Sequence, residues 1–478
     1  MVRLRFAPSP TGFLHVGGLR TALFCWLYAR QNSGKFIFRL EDTDQKRLVA
    51  GSEKDLVEML DWAGIDLDEG PGLGGEYGPY RQSERLDIYW QYAQQLLDEN
   101  NAYPCFCSSE RLTKLREEQR KKGEIQGYDR FCRKINKKES DQRIASGEKY
   151  VIRMKIPETP ELLEVNDLIR LKVSIDTRNS EDQVIVKSDG FPTYHLAVVV
   201  DDYLMKITHV VRGEEWLPSF PKHLLLYRYF GWSPPKFAHL PLILNPDRSK
   251  LSKRQEAVAI EDFRDQGYLA ETLVNFISLL GWSPPGNNEL FTLRELVEQF
   301  SFERVNKSGA IFDRNKLNWM NQQYIQNLDQ SDFIKRVMPF LVKTEYAEKN
   351  SDLLQKAISI LQPRLVNLSE IANRLSLFFD EEHHVSDPEV VELLKKDSSK
   401  LILSEFIRQL KYVESLNEEN LANIVKKVQE VTSIRGKDLW IPLRYAITLE
   451  KQGPDLKLLV DFFGKEKCIQ MVQNAIEL

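Results

Sequence analysis

The sequence predicts an α/β protein, a parallel sheet interrupted by an inserted module and followed by an all-helical C-terminal region. Three observations predict it. The first 45 residues read as strand, glycine-containing turn, amphipathic helix and strand, which is one βαβ unit with a right-handed crossover. Sheet-like chemistry then fades and resumes after about residue 185. From about residue 255 onward almost everything has helical periodicity.

The elements follow in order. LRFAPSP is a short apolar run broken by Pro8 and Pro10, and TGFLHVGG is the turn after it. LRTALFCWLYARQNSG carries apolar residues at helical spacing and stops at Gly34, and KFIFRLED is a strand pattern. Residues 69–85, EGPGLGGEYGPYRQSER, hold five glycines and two prolines, too many breakers for a regular element. A helix-like stretch at 86–102 leads into a cysteine-bearing basic segment. Around 184–202, QVIVKSDGFPTYHLAVVVDDYL shows two apolar runs joined by a DG turn, and the strand signal returns. ITHVVRGEEW reads as a buried strand ending in charge, KHLLLYRYFGW as a helix and HLPLILN as a strand. GWSPP, at 231–235 and 281–285, marks a helix stop each time, and Pro363 and the stretch 383–387 break the helical region.

Composition bounds the class. Over 478 residues, 42% hydrophobic and 28% charged residues suit a globular protein with several cores, roughly three to four domains. That balance excludes a disordered or collagen-like chain, and no apolar stretch approaches the ~18 residues of a membrane span. The N-terminus has no apolar signal region, so a cytoplasmic protein is expected. Net charge is −4, but residues 110–155 hold fifteen Lys/Arg against eight Asp/Glu, a local excess of +7 that suits a nucleic-acid surface or a solvated helical face. Five cysteines in a chain this long fit a reducing compartment, where the cluster Cys105, Cys107 and Cys132 points to metal more than to a disulfide.

Two segments carry the chemistry. PSPTGFLHVGGLR places Ser9, Thr11, His15, Gly17 and Gly18 at the turn between the first strand and the first helix, where open parallel sheets bind ligands. Glycines there let a nucleotide approach the backbone, and the helix N-terminus offers N–H groups to phosphate. DRSKLSKR, residues 247–254, follows the last sheet strand and interleaves Arg248, Lys250, Lys253 and Arg254 with Ser249 and Ser252. Lysine point charges suit a phosphate chain that moves during reaction.

Together, HVGG and KLSKR resemble the "HIGH" and "KMSKS" signatures of class I aminoacyl-tRNA synthetases. The flanking text FAPSPTG, FRLEDTD, GPYRQSER, DGFPTYHLA and VVRGEEW resembles the bacterial-type glutamyl-tRNA synthetases, densely from residue 3 to about 320 and more loosely beyond. The resemblance implies ATP-dependent ligation of L-glutamate to the 3′ end of tRNA(Glu) through glutamyl-adenylate, with ATP as substrate and Mg²⁺ accompanying it. It implies a Rossmann-type catalytic domain at 1–85 and 186–246, an inserted acceptor-binding module at 86–185, a stem-contact region at 247–324 and an anticodon-binding region at 325–478. A monomer that uses neither DNA nor membrane is also implied.

The same resemblance distributes roles. Arg5 and Arg212 match carboxylate-binding arginines, Ser9 and Glu41 match residues at the amino end, and Tyr194 and Trp216 line the pocket. Thr11, His15, Gly17, Gly18 and Lys253 match the ATP site, with His15, Lys250 and Lys253 as the catalytic set. Arg364 matches a residue that reads the third anticodon base. Tyr128 completes a zinc set with Cys105, Cys107 and Cys132, as in some family members. The chain departs from the pattern at Gly18 and Arg254, the last positions of the two signatures, and at Val198, where some relatives carry asparagine. A relaxed enzyme that also charges tRNA(Gln), a truncated relative and an inactive RNA-binding paralog are the competing readings. The anticodon-length C-terminal region argues against the truncated form, and intact His15, Lys253, Arg5 and Arg212 argue against the inactive one.

Overall fold

The computed structural model describes every residue except 252–257, 350, 381–386, 449 and 452, and the backbone alone at 179 and 418. It divides into two compact units, Met1–Phe263 with Leu273–Asp313, and Arg264–Thr272 with Arg314–Leu478.

The strands of the first unit are β1 (Arg3–Phe6), β2 (Lys35–Phe38), β3 (Ala102–Cys105), β4 (Val151–Met154), β5 (Leu162–Asp167), β6 (Leu171–Asp176), β7 (Val184–Val186), β8 (His209–Gly213), β9 (Lys236–Leu240), β10 (Ile243–Leu244) and β11 (Ala310–Ile311). Six form the main sheet in the order β2-β1-β8-β9-β5-β6. Neighbours are parallel except β5 and β6. Helix α1 (Val16–Gln31) makes the first crossover, from β1 to the adjacent β2, as the sequence pattern requires. Gly34 closes it, because a Cβ there would collide with the carbonyl of Val2.

Residues 162–176 fall within the stretch that the sequence reading gives to the insertion, yet β5 pairs with β9 and extends the main sheet. β6 folds back on β5 through a short turn, and its polar LKVSID sequence suits an outer edge. The remaining strands of the insertion form a separate antiparallel sheet, β3-β4-β7.

One strand expectation is corrected. The run Ala197–Val200 lies in the helix Tyr194–Leu204, not in a strand. Leu196 through Asp202 are all buried, and a short run buried on every side carries no period to separate strand from helix. The helix has a consequence for the sheet: it ends in two adjacent buried carboxylates, Asp201 and Asp202.

Those carboxylates meet the arginines of β1 and the segment after β2. Residues alternate across a strand, so Arg3 and Arg5 share the face opposite Leu4 and Phe6. The Arg3 guanidinium donates to Glu69 at 2.7 and 2.9 Å. Arg5 donates to Asp202 through Nε at 2.9 Å and Nη2 at 3.3 Å. Arg39, with no exposed surface, adds a third bond to Asp202 at 2.8 Å. Asp201 accepts from Arg85, Gln82 and the Tyr89 hydroxyl at 2.8–2.9 Å. The Arg5 and Arg39 guanidinium groups outweigh burial and hold the Asp202 carboxyl below its ordinary value.

The second unit is built of helices, among them Ser351–Leu361, Asp397–Leu410, Lys437–Thr448 and Leu456–Glu477. Their apolar faces share one core that includes Leu361, Phe406, Val428, Leu443 and Val472. Pro363 lies in the tight turn Gln362–Arg364 that ends a helix, and most of the expected break at 383–387 falls outside the described residues. No helix among the described residues is long and apolar enough to cross a membrane.

Removing one partner of a buried ion network leaves an uncompensated charge. Asp202→Ala should therefore lower unfolding free energy by about 3–5 kcal/mol in denaturant titrations. A loss below about 1 kcal/mol, the scale of exposed pairs, would show that Asp202 does not anchor the sheet.

Candidate active site

The loop after β1 and the segment after the basic loop close on each other. His15 is the N-cap of α1, and its Nδ1 accepts the Gly18 N–H at 3.1 Å. The Val16 N–H donates to the Val258 carbonyl at 3.0 Å, and the Ile260 N–H to the Leu14 carbonyl at 2.9 Å. The chain that leaves the basic loop is thus stitched to the HVGG turn. A Cβ on Gly17 would stand 3.2 Å from the His15 ring, so that turn tolerates no side chain without moving the imidazole. On the approach side, the Leu251 N–H donates to the Ile243 carbonyl, and Arg248, at φ 66°, turns the chain back to bring in Lys250.

Between these segments and the carboxyl ends of β1 and β8 lies a cavity of about 930 Å³. It is lined by Arg5, Ser9, His15, Gly17, Gly18, Glu41, Tyr194, Arg212, Trp216 and Lys250 from the sequence-derived set. Thr11 is not among the lining residues; it is exposed, and its N–H turns back to the Ser9 carbonyl at 2.8 Å. Lys253 lies outside the described residues. Arg364 belongs to the second unit, exposed at the end of its turn.

Part of the cavity lining is built of paired charge. Glu41 accepts from Arg39 at 3.0 Å and is buried, and burial pushes its carboxyl up to about 7 against the pull of Arg39 and Arg5. The Arg212 guanidinium donates through Nε to His239 Nε2 at 3.1 Å and through Nη1 to His223 Nδ1 at 2.9 Å. The Tyr194 hydroxyl lies 3.5 Å from Nη1, and Nη2 is buried with no acceptor. The rings of Tyr194 and Trp216 pack at 4.4 Å to form a wall. Guanidinium groups facing a carboxylate suit an acidic zwitterion: cations for its carboxylates, an anion for its ammonium.

Sequence reasoning missed Arg39, Asp202, His223, His239 and Arg20. The signal was present in each case as a charged or imidazole side chain inside a strongly apolar run, as in VVVDD and FAHLPLI. Arg20 is buried, donates to the Pro241 and Leu280 carbonyls and to no carboxylate, and burial pushes it down to about 10 against the pull of Glu215 and Glu214.

In the insertion, the thiols of Cys105, Cys107 and Cys132 lie within 4.8 Å of one another. The Tyr128 hydroxyl stands 3.3 Å from Cys105 Sγ and 3.7 Å from Cys107 Sγ. Hydrogen bonds from Cys132 and Tyr128 pull the Cys105 thiol well down. The Arg153 guanidinium covers the Tyr128 ring at 3.8 Å, and the Phe106 N–H points at Cys132 Sγ. Four converging donors of this chemistry fit a closed tetrahedral zinc site.

Residues 1–319 match the family described as tRNA synthetases class I (E and Q), catalytic domain, and residues 332–476 match an anticodon binding domain. The fold is thus that of a class I aminoacyl-tRNA synthetase. The glutamate–tRNA ligase of Alkaliphilus metalliredigens is 46% identical over 488 residues, covering 100% of this chain and 99% of its own. That of Clostridioides difficile is 46% identical, covering 98% of each. A glutamate tRNA ligase from Elizabethkingia meningosepticum, solved in complex with its amino acid, superposes with a TM-score of 0.89 at 37% identity, covering 100% and 99% of the two chains. The chain belongs to the glutamate–tRNA ligase family.

A carboxyl lifted by burial has a direct signature. In the empty protein, infrared titration against Glu41→Gln should show one carboxylic-acid band that disappears near pH 7. Loss of that band near the ordinary 4.5 would contradict the desolvated environment described here.

Proposed function

We propose that this cavity runs ATP-dependent attachment of glutamate to tRNA in two steps. An oxygen of the α-carboxylate attacks the α-phosphorus of ATP, the bond to pyrophosphate breaks, and glutamyl-adenylate forms. The 2′-hydroxyl of the terminal adenosine of tRNA(Glu) then attacks the activated carbonyl carbon, AMP leaves, and the hydroxyl proton is released. What supports the reading is one observation: a single cavity is lined both by Arg5, Arg212 and Glu41 and by the His15–Gly18 turn with Lys250.

Each residue then has a task. Arg5 and Arg212 receive carboxylate, Glu41 and Ser9 receive the ammonium, and Tyr194 and Trp216 exclude water from between them. His15 holds the turn closed through Gly18, and its neighbours Gly17 and Gly18 let the nucleotide lie against backbone. Lys250, and Lys253 from the sequence alone, meet charge that builds on the phosphates. Fixed charges aimed at a transition state contribute without reorganising. Mg²⁺ offsets phosphate charge in this class. Among the described residues the cysteine cluster is the one grouping of three or more ligand side chains close enough to hold an ion, so the cavity supplies no carboxylate cage and no step is assigned to the metal.

Zinc at Cys105, Cys107, Cys132 and Tyr128 would pin the turns of the insertion and take no part in the chemistry. The basic excess of residues 110–155 suits that module to the tRNA acceptor end, and Arg364 is assigned to the anticodon. The relaxed alternative, which also charges tRNA(Gln), finds no support in the names of the relatives. A monomeric, cytoplasmic enzyme completes the reading.

Purified protein should charge tRNA(Glu) with radiolabelled glutamate, and Lys253→Ala should slow tRNA-supported ATP–pyrophosphate exchange about 100-fold. No charging of any glutamate tRNA would end the proposal. Metal analysis without chelators should find about one zinc per chain, lost in Cys105→Ser, whereas a content far below one would remove the site.

A further inference from the structure

On the reading that the cavity binds glutamate, we infer that His223 and His239 are positioning residues for amino-acid selectivity: two uncharged rings clamp Arg212 and leave its positive charge for the ligand. The contrast among the buried arginines carries this. Arg3 is matched by Glu69, while Arg5 and Arg39 share Asp202. Arg20 gives its N–H groups to main-chain carbonyls and to no carboxylate. Arg212 is held by imidazole nitrogens, a distant phenol and the rings of Phe220 and Phe237, at 5.2 and 5.7 Å. Its Nη2 edge has no acceptor.

The tautomers follow by elimination. A guanidinium only donates, so His239 Nε2 and His223 Nδ1 must both accept. His239 therefore carries its proton on Nδ1 and gives it to Asp167 at 2.7 Å. His223 carries its proton on Nε2 and gives it to His195 Nδ1 at 2.9 Å. A doubly protonated ring in either place would have no lone pair for Arg212. Burial keeps all three imidazoles below their ordinary range, so the clamp persists at neutral pH. Asp167, at the end of this chain, stands one imidazole away and is also satisfied by the main-chain N–H groups of Ile169, Arg170 and His239.

The charges in contact sum to a preference. Arg5, Arg39 and Arg85 face Asp201, Asp202 and Glu41, three against three when all are ionised. Arg212 stands outside that set, its positive charge on imidazole nitrogens and not on a carboxylate. Glutamate brings a net charge of about −1 and glutamine about zero, by the ordinary ionisation of their groups. A glutamine in the cavity would leave a buried guanidinium unmatched, and that kind of polar mismatch discriminates strongly.

The test compares His223→Asn, which keeps an acceptor in place of Nδ1, with His223→Asp, which sets a carboxylate against Arg212. Arg212→Ala is the reference. Exchange kinetics with tRNA bound give the KM for glutamate and for ATP, and the preference for glutamate over glutamine. The expected result is a glutamate KM raised at least about tenfold in His223→Asp, with a comparable loss of preference and an unchanged ATP KM, while His223→Asn stays within about threefold. A wild-type glutamate KM in His223→Asp, equal changes for glutamate and ATP, or a raised KM with preference intact would overturn the inference. Should His223→Asp fail to fold, His239→Gln and His239→Glu give the same comparison at the second ring. An Arg212→Ala protein with unchanged glutamate KM would instead remove the underlying reading of the cavity.

Discussion

Two arginines on one carboxylate hold the catalytic unit in register. Asp202 receives Arg5 from the first strand and Arg39 from the segment after the second, while Arg39 also reaches Glu41. Strand geometry, the helix that carries Asp202 and two lining residues of the cavity, Arg5 and Glu41, are thereby tied into a single buried network. Ionic contacts in a low-dielectric interior are strong when complete and costly when broken, so such a network fixes geometry more than it adds net stability.

The site exists because distant segments of chain are stitched to each other by backbone as well as by charge. The turn after β1 and the residues that follow the basic loop exchange main-chain hydrogen bonds on both sides of His15. A nucleotide placed between them would meet cations from a segment more than two hundred residues away. Elsewhere in the lining, the rings of Tyr194 and Trp216 pack as a wall and Arg212 is held between two imidazoles.

Much of this was legible in the sequence because glycine, proline and charge have few alternative uses at a strand–helix turn. HVGG and KLSKR stand out for that reason, and Arg5, Glu41 and Arg212 sit in motifs whose text resembles a known family. Other parts were not legible. Ala197–Val200 has strand-like composition, but complete burial erased the period that separates strand from helix. β5 joins the main sheet from inside the insertion, a long-range pairing that no local pattern encodes. Arg39, His223 and His239 act through partners far along the chain. A lone polar residue in an apolar run announces that a partner exists without saying which.

If the buried arginines and Glu41 receive an acidic amino acid in this cavity, the contacts are visible in a complex. A crystal structure of the protein with L-glutamate bound tests it most directly. A carboxylate of the ligand should lie within about 2.7–3.2 Å of the Arg212 guanidinium and its ammonium within the same range of Glu41. Glutamate bound elsewhere, or bound here with Arg212 turned away from it, would show that these arginines do not select the amino acid.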